Sequence, residues 1–462
     1  MRLAGGAKKP IISWLAIFMH INKHNTISPD EKVNKSLEVS FRDGIFASGM
    51  TGFTQDYFTP FLLLLKATAT QVGMLNALPN LFSSLIQLKS ADITEMFKSR
   101  KAVITVFVLL QAFMLLPMTV FALLDKVRPE IFIGVVICFT AFGAVATPAW
   151  GSLMSDLVPG DKRGTYFGWR TTTLGFVIVG ASFLGGLILN FMKRQNIFYG
   201  FIILFSFAFI FRTISWYFLT RMYEPSIEYK KEHYFSFIQF ISHIHKSNFG
   251  RFVIFVSAMN FSANLCSPFF AVLMLKDLHF SYLVYSVVTV TATLTIYLMT
   301  RRWGAHADKV GNLRIIRFTA PLIGVIPLLW IFNHSPVYLV GAQIFSGFVW
   351  AGFNICATNF IYDAVTPEKM TRCISFFNVF NGLALSIGAL CGGFLLQYLQ
   401  PLMGHKILTL ILISAVLRLA VGIFMPVTIK EVRTVDHINH NELFFSVIGI
   451  RPMLDADRKT VK

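Results

Sequence analysis

Charge is scarce in this chain, and acid is scarcer. Only 14% of the 462 residues are charged, where soluble domains carry about 25%. That shortage excludes an ordinary water-soluble enzyme. Cysteine is rare as well: Cys138, Cys266, Cys356, Cys373 and Cys391 stand in apolar or near-apolar stretches with no CxxC spacing. They read as small core residues and say nothing of redox compartment. A GxxxxGK[ST] loop is missing, and no polar region is long enough to hydrolyse ATP, so a primary pump is not expected. HExxH and a serine nucleophile elbow are missing too, which weakens the case for an intramembrane enzyme. Neither a cofactor nor a metal is expected.

What the chain does have is apolar length. Hydrophobic residues make up 55% of it, in runs of the ~20 residues that a helix needs to cross a bilayer. Such runs lie near 43–66, 70–90, 102–123, 131–156, 165–191 and 197–220, then near 251–275, 280–300, 314–332, 336–362, 373–399 and 407–427. Twelve spans put both termini on one side. The termini and even-numbered loops hold 31 of the 41 Lys and Arg, the odd loops 7. Short cytoplasmic loops retain positive charge, so both termini are expected in the cytoplasm. The formal net charge of +18 then marks topology, and nucleic acid is not an expected partner.

The second half repeats the first at a shift of about 208 residues. Phe53, Asp56, Pro60 and Phe61 fall on Phe261, Asn264, Pro268 and Phe269; Arg163 on Arg372; Arg170 on Asn378; Gly185-Gly186 on Gly392-Gly393; and Arg212 on Arg418. Repeated order of this kind indicates duplicated structure. The expected organisation is a cytoplasmic segment 1–42, a six-helix bundle 43–220, a cytoplasmic linker 221–250, a second bundle 251–427 and a cytoplasmic tail 428–462. In the linker, Phe237, Phe240, Ile241 and Ile244 share one helical face, expected to lie along the membrane interface. His233, His243 and His245 lack the carboxylate or cysteine spacing of a metal site and read as a solvated face. Residues 11–19 are too short to span and have no cleavage site after Lys8-Lys9, which suggests an in-plane helix or extended start.

One loop carries a sharper signal. Gly304-Ala-His-Ala-Asp308-Lys309-Val-Gly311-Asn-Leu-Arg314 resembles the glycine, aspartate, basic, glycine, basic loop of the major facilitator superfamily (MFS) between spans 8 and 9. The likeness to that family covers roughly residues 38–430. Its first-half copy keeps Asp92 with Lys98, Arg100 and Lys101 but lacks both glycines. The resemblance implies an all-α membrane fold of two pseudo-repeated six-helix bundles, a secondary transporter working by alternating access. It also implies gating contacts at Asp92, Arg100, Gly304, Asp308, Lys309, Gly311 and Arg314. An aspartate there can face a helix N-terminus or basic neighbours across the seam between halves.

Polar side chains inside such a bundle are costly and should face the interior or a wet cavity. On span 1, Gly44, Ser48, Thr51, Gly52, Gln55, Asp56 and Thr59 share an arc of about 140° at 100° per residue. Asp56 is the deepest acid, about 21 Å beyond Arg42 at ~1.5 Å per residue. Desolvation there disfavours a fixed charge, which suits proton coupling or a cationic substrate. Pro60, one turn on, lets the helix bend and frees carbonyls. Arg170 shares a face with Thr173 and suits a carboxylate or phosphate, or else anchors span 5 at the cytoplasmic surface. A straight-helix depth difference of about 10 Å argues against an Asp56–Arg170 pair. Asn260, Asn264, Asn378 and Asn381 are their uncharged counterparts. Arg212 and Arg418, in spans the resemblance puts at the periphery, are expected to brace loops. The expected function is therefore transport of a small solute, coupled to protons through Asp56, by a monomer in the lipid bilayer. A transporter-shaped sensor or assembly partner is the rival reading, and an intramembrane enzyme a second.

Overall fold

Serine and asparagine side chains start many of the helices. Ser99, Asn196, Ser247, Ser281 and Ser335 each accept a hydrogen bond from a backbone N–H two or three residues on, satisfying donors that a first turn leaves open. The computed structural model describes residues 29–87, 89–124, 127–158, 163–225, 240–242, 244–365 and 367–432. The suggested element at 11–19, as well as Phe237, His233 and His243, lies outside the described residues.

Among the described residues the helices form twelve spans, with a short helix Ser90–Phe97 between the second and third. Span 1 is Pro29–Thr54, a tight turn Gln55–Tyr57, and Phe58–Leu64; span 2 is Ala69–Gln87; span 3 is Arg100–Phe113 continued by Leu115–Leu124. Spans 4 to 6 are Pro129–Leu157, Arg163–Met192 and Ile197–Thr220. Span 7 is Asn248–Asn264, extended by Phe269–Val272 and Leu273–Asp277; spans 8 to 12 are Tyr282–Val310, Asn312–Phe332, Pro336–Ala364, Pro367–Tyr398 and Lys406–Phe424. No strand occurs among the described residues, only an isolated bridge between Leu402 and His405. Ten of the helices are long and apolar enough to cross a membrane. Spans 1 and 2 fall short because the first carries a polar stripe and a break, and the second Asn76, Asn80 and Pro79.

Two ends differ from expectation. The first helix begins at Pro29, well before residue 43, and span 8 runs on to Val310. The second difference corrects the reading of the motif. Gly304 makes no turn: it sits inside span 8, where an added Cβ would only touch Ile355 at 4.0 Å. Gly311 alone turns the chain, at φ 88°, a conformation that costs a glycine little. In the first copy Lys98 takes the left-handed position, at φ 51°. The linker differs too. Phe240 and Ile244 are buried, and Phe240 packs on Phe249, Phe376 and Phe380. Phe240 and Ile244 therefore dock on the second half, while Ile241 of the same face is exposed.

The apolar core is not uniform through the depth of the molecule. On the side opposite the termini one cluster joins both halves, from Phe61, Phe132 and Phe201 to Phe269, Leu273 and Tyr285. Toward the termini it divides. Leu37, Val103 and Leu153 form a cluster in the first half, and Phe252, Trp303 and Phe360 another in the second.

The repeated glycine pairs explain how the halves close. An added Cβ at Gly185 would meet the Tyr57 ring of span 1 at 2.7 Å, and at Gly186 the Ser286 side chain of span 8 at 2.3 Å. In the second copy Gly392 faces the Leu265 carbonyl of span 7, and Gly393 faces Ala69, Thr70 and Gly73 of span 2. The first glycine of each pair thus admits the broken helix of its own half, and the second admits the partner half. Gly186→Val is accordingly expected to force spans 5 and 8 apart on the side opposite the termini. Spin-label distances between those helix ends would lengthen; an unchanged distribution would refute the role given to Gly186.

Candidate functional site

The break in span 1 follows from its sequence. Pro60 has no N–H to offer the carbonyl four residues back, which is that of Asp56, and the Tyr285 hydroxyl of span 8 donates to that oxygen at 2.7 Å. The Asp56 carboxylate turns to span 5, where Ser182 Oγ donates to it at 2.5 Å. Around this pair the seam is tightly bonded. Tyr57 OH donates to the Ser182 carbonyl, Ser286 Oγ donates to the same carbonyl at 3.0 Å, and the two hydroxyls are 3.1 Å apart. Spans 1, 5 and 8 meet at one acid.

A cavity of about 430 Å³ lies on the other face of span 1, among spans 1 to 6. Gly44, Ser48, Thr51 and Gln55 of the span 1 stripe supply one wall, whereas Gly52, Asp56 and Thr59 do not line it; Gln87, Gln111, Thr140, Arg170 and Arg212 supply others. Arg170 lies over the Trp150 ring at 4.5 Å and donates to the Ser40 carbonyl at 3.1 Å. Its acid is Asp43, 4.0 Å away, not Asp56. Asp43 also accepts from Ser215 at 2.6 Å. Arg212 donates to Gln111 Oε1 at 2.5 Å and to Ser215 Oγ at 3.1 Å. It therefore reaches the cavity instead of bracing a loop, because span 6 packs against span 1 and turns this side chain inward. Arg418 behaves otherwise: it is buried on the Ala263 carbonyl, Ser414 and Cys266.

The amides of the second half gather partly. Asn381 Oδ1 accepts from Asn260 at 3.1 Å and from Ser257 at 3.3 Å, while Asn264 donates to the Leu385 carbonyl at 2.7 Å. Asn378 is exposed. Thr173 donates back to its own helix at Trp169, a habit of threonine in spans.

At the two motif loops, Arg100, Asn312 and Leu313 tie helix ends within their own half. Asp92 pairs with Lys89 at 3.2 Å on the surface. Arg100 is buried between Asp156, at 2.6 Å, and Glu224, at 3.8 Å; Glu224 also accepts from the backbone N–H of Arg100 at 2.7 Å. The second half repeats this. Asn312 donates to Asp363 at 2.7 Å and the Leu313 N–H to Glu431 at 2.7 Å. Asp308 and Lys309 are exposed at the end of span 8, and Arg314 is half-buried on span 9. Sequence reasoning missed Asp43, Gln111, Ser182, Tyr285 and Glu431. For Glu431 a signal existed, since Glu224 and Glu431 keep the offset of the repeat.

Two six-helix sets spanning a membrane, the first of them enclosing a polar, charged cavity, define a multi-pass membrane transporter. The chain belongs to the Major Facilitator Superfamily, whose sequence profile matches residues 44–296 and 251–446. Among solved structures, the nucleoside transporter NupG is similar with a TM-score of 0.64 at 15% identity, over 86% of this chain and 100% of that one. A bacterial homologue of the human lysosomal transporter Spinster, in an inward-facing and unoccupied conformation, gives 0.61 at 12% identity, over 86% and 95%. Identities this low establish the fold alone. No curated protein matches the sequence.

Proposed function

We propose that this protein is a proton-coupled secondary transporter of a small solute, working by alternating access, with both termini in the cytoplasm. Its two moving units are 43–220 and 251–427, joined by 221–250. One observation carries the reading: the core is continuous across both halves opposite the termini and divided toward them. Halves that share a core at one end and not at the other have the form of a rocker closed on one side. The neighbour described as inward-facing supports the same direction of opening. Asp56 is the coupling residue in this reading, since its carboxylate and carbonyl both end on groups that must part when the closed side opens. Gln55, Arg170, Thr173, Asn260, Asn264, Asn378 and Asn381 form the solute path, and Asp92, Arg100, Asp308, Lys309, Gly311 and Arg314 steady the cytoplasmic ends.

The test is uptake by purified protein in proteoliposomes under an imposed pH gradient, with a panel of labelled metabolites. Accumulation that collapses with a protonophore supports the reading. A protein that accumulates nothing, yet binds a soluble partner protein tightly, would favour the sensor.

A further inference from the structure

The cavity among spans 1 to 6 has more cation than anion. Arg170 and Arg212 both line it, and Asp43, the acid beside them, already gives one oxygen to Ser215. Each guanidinium has five N–H donors to place. The Nε of both arginines is buried without an acceptor, so neither group is satisfied where it stands. Space has been left for them. A Cβ at Gly44 would come within 2.7 Å of Arg170 Nη2, and one at Gly143 within 2.5 Å of Gln111 Nε2. Trp150 supports the Arg170 plane from the side, at 4.5 Å. The remaining wall adds hydroxyls and amides from Ser48, Thr51, Gln87 and Thr140.

Resting on the transport reading, we propose that this chamber binds an organic anion, a solute whose carboxylate or phosphate is held between Arg170 and Arg212. Arginine forks bind such oxygens in pairs, and in a low-dielectric wall an uncompensated positive charge attracts an anion strongly. A volume of about 430 Å³ is metabolite-sized. A cation would face two guanidinium groups with one acid between them, and a neutral solute would leave their donors unmatched.

The experiment is thermal unfolding of the full-length protein in non-ionic detergent with millimolar succinate, citrate, glycerol 3-phosphate, inorganic phosphate, uridine or choline, and with a short-chain lysophosphatidic acid. At least one anion should raise the Tm by about 2 °C or more, and uridine and choline should not. Arg170→Gln and Arg212→Gln should lose that response, with Arg212→Lys keeping part of it. Gly44→Ala removes no charge and crowds Arg170 together with the Leu174 side chain, so it must weaken the response even if the arginine variants fail to fold. A shift with lysophosphatidic acid alone would assign the anion to a lipid headgroup; a shift with the soluble anions assigns it to a solute. If no anion acts, or if uridine or choline acts equally on wild type and both glutamine variants, the proposal is wrong. Binding needs no gradient, so a specific anion shift would survive even if uptake failed and the transport reading fell.

Discussion

Asp56→Asn will abolish accumulation driven by a pH gradient while leaving solute exchange at equal concentrations. Asparagine has nearly the volume of aspartate and keeps an acceptor for Ser182 Oγ, which donates to the native carboxylate at 2.5 Å. The Asp56 carbonyl bond to Tyr285 is main-chain and untouched. What the variant cannot do is bind and release a proton as spans 1, 5 and 8 separate. One pH unit is worth about 1.4 kcal/mol per proton, so coupling of one proton per solute supports about tenfold accumulation. The variant should give a ratio near one at the same gradient, and its counterflow should persist. A variant that still reaches the wild-type ratio removes Asp56 from the coupling path. Loss of counterflow as well would make it a structural residue.

Arg100→Ala will destabilise the first half severely. The side chain is only 5% exposed and bridges Asp156 and Glu224, while its Nη1 also reaches the Ser152 carbonyl and hydroxyl at 3.1 Å. Removing it takes from both carboxylates the cation they share. Breaking a buried pair costs about 3–5 kcal/mol, and the lower end applies because Asp156 is 47% exposed. The unfolding temperature in detergent should fall by several degrees. Arg100→Lys should recover less than half, since an ammonium cannot serve Asp156, Ser152 and Glu224 together. A variant as stable as wild type would mean that Glu224 holds the helix end through its backbone bond alone.

The spans were legible because lipid enforces a simple code: only long apolar helices satisfy their own backbone there. The repeat was legible for the same reason, since a duplicated break such as Pro60 and Pro268 leaves residues in order. Helix ends were not. Pro29–Arg42 and Thr300–Val310 continue helices beyond the apolar runs, where polar composition conceals periodicity. Of the site, the part of the span 1 stripe that lines the cavity was readable from spacing; Asp56 belonged to that stripe by spacing but turns to span 5 instead. Its partners were not readable, because Ser182 and Tyr285 carry no charge to betray them and their approach depends on how spans 5 and 8 pack. Asp43 escaped because the apolar run begins at that residue while the helix itself begins at Pro29, which carries the acid inward beside Arg170. Arg212 was misjudged because a periphery inferred for a whole helix says nothing of one inward side chain. The linker face was read from a helical pattern that cannot tell a protein groove from a headgroup layer.

The acid that clasps each set of helices stands immediately after the sixth member of that set: Glu224 behind Thr220, Glu431 behind Phe424. During biosynthesis the ribosome delivers Glu224 before any of span 7 exists. The amino-terminal half can thus tie off its own polar ends and mature in the translocon unaided, and the carboxy-terminal half docks later on a finished partner.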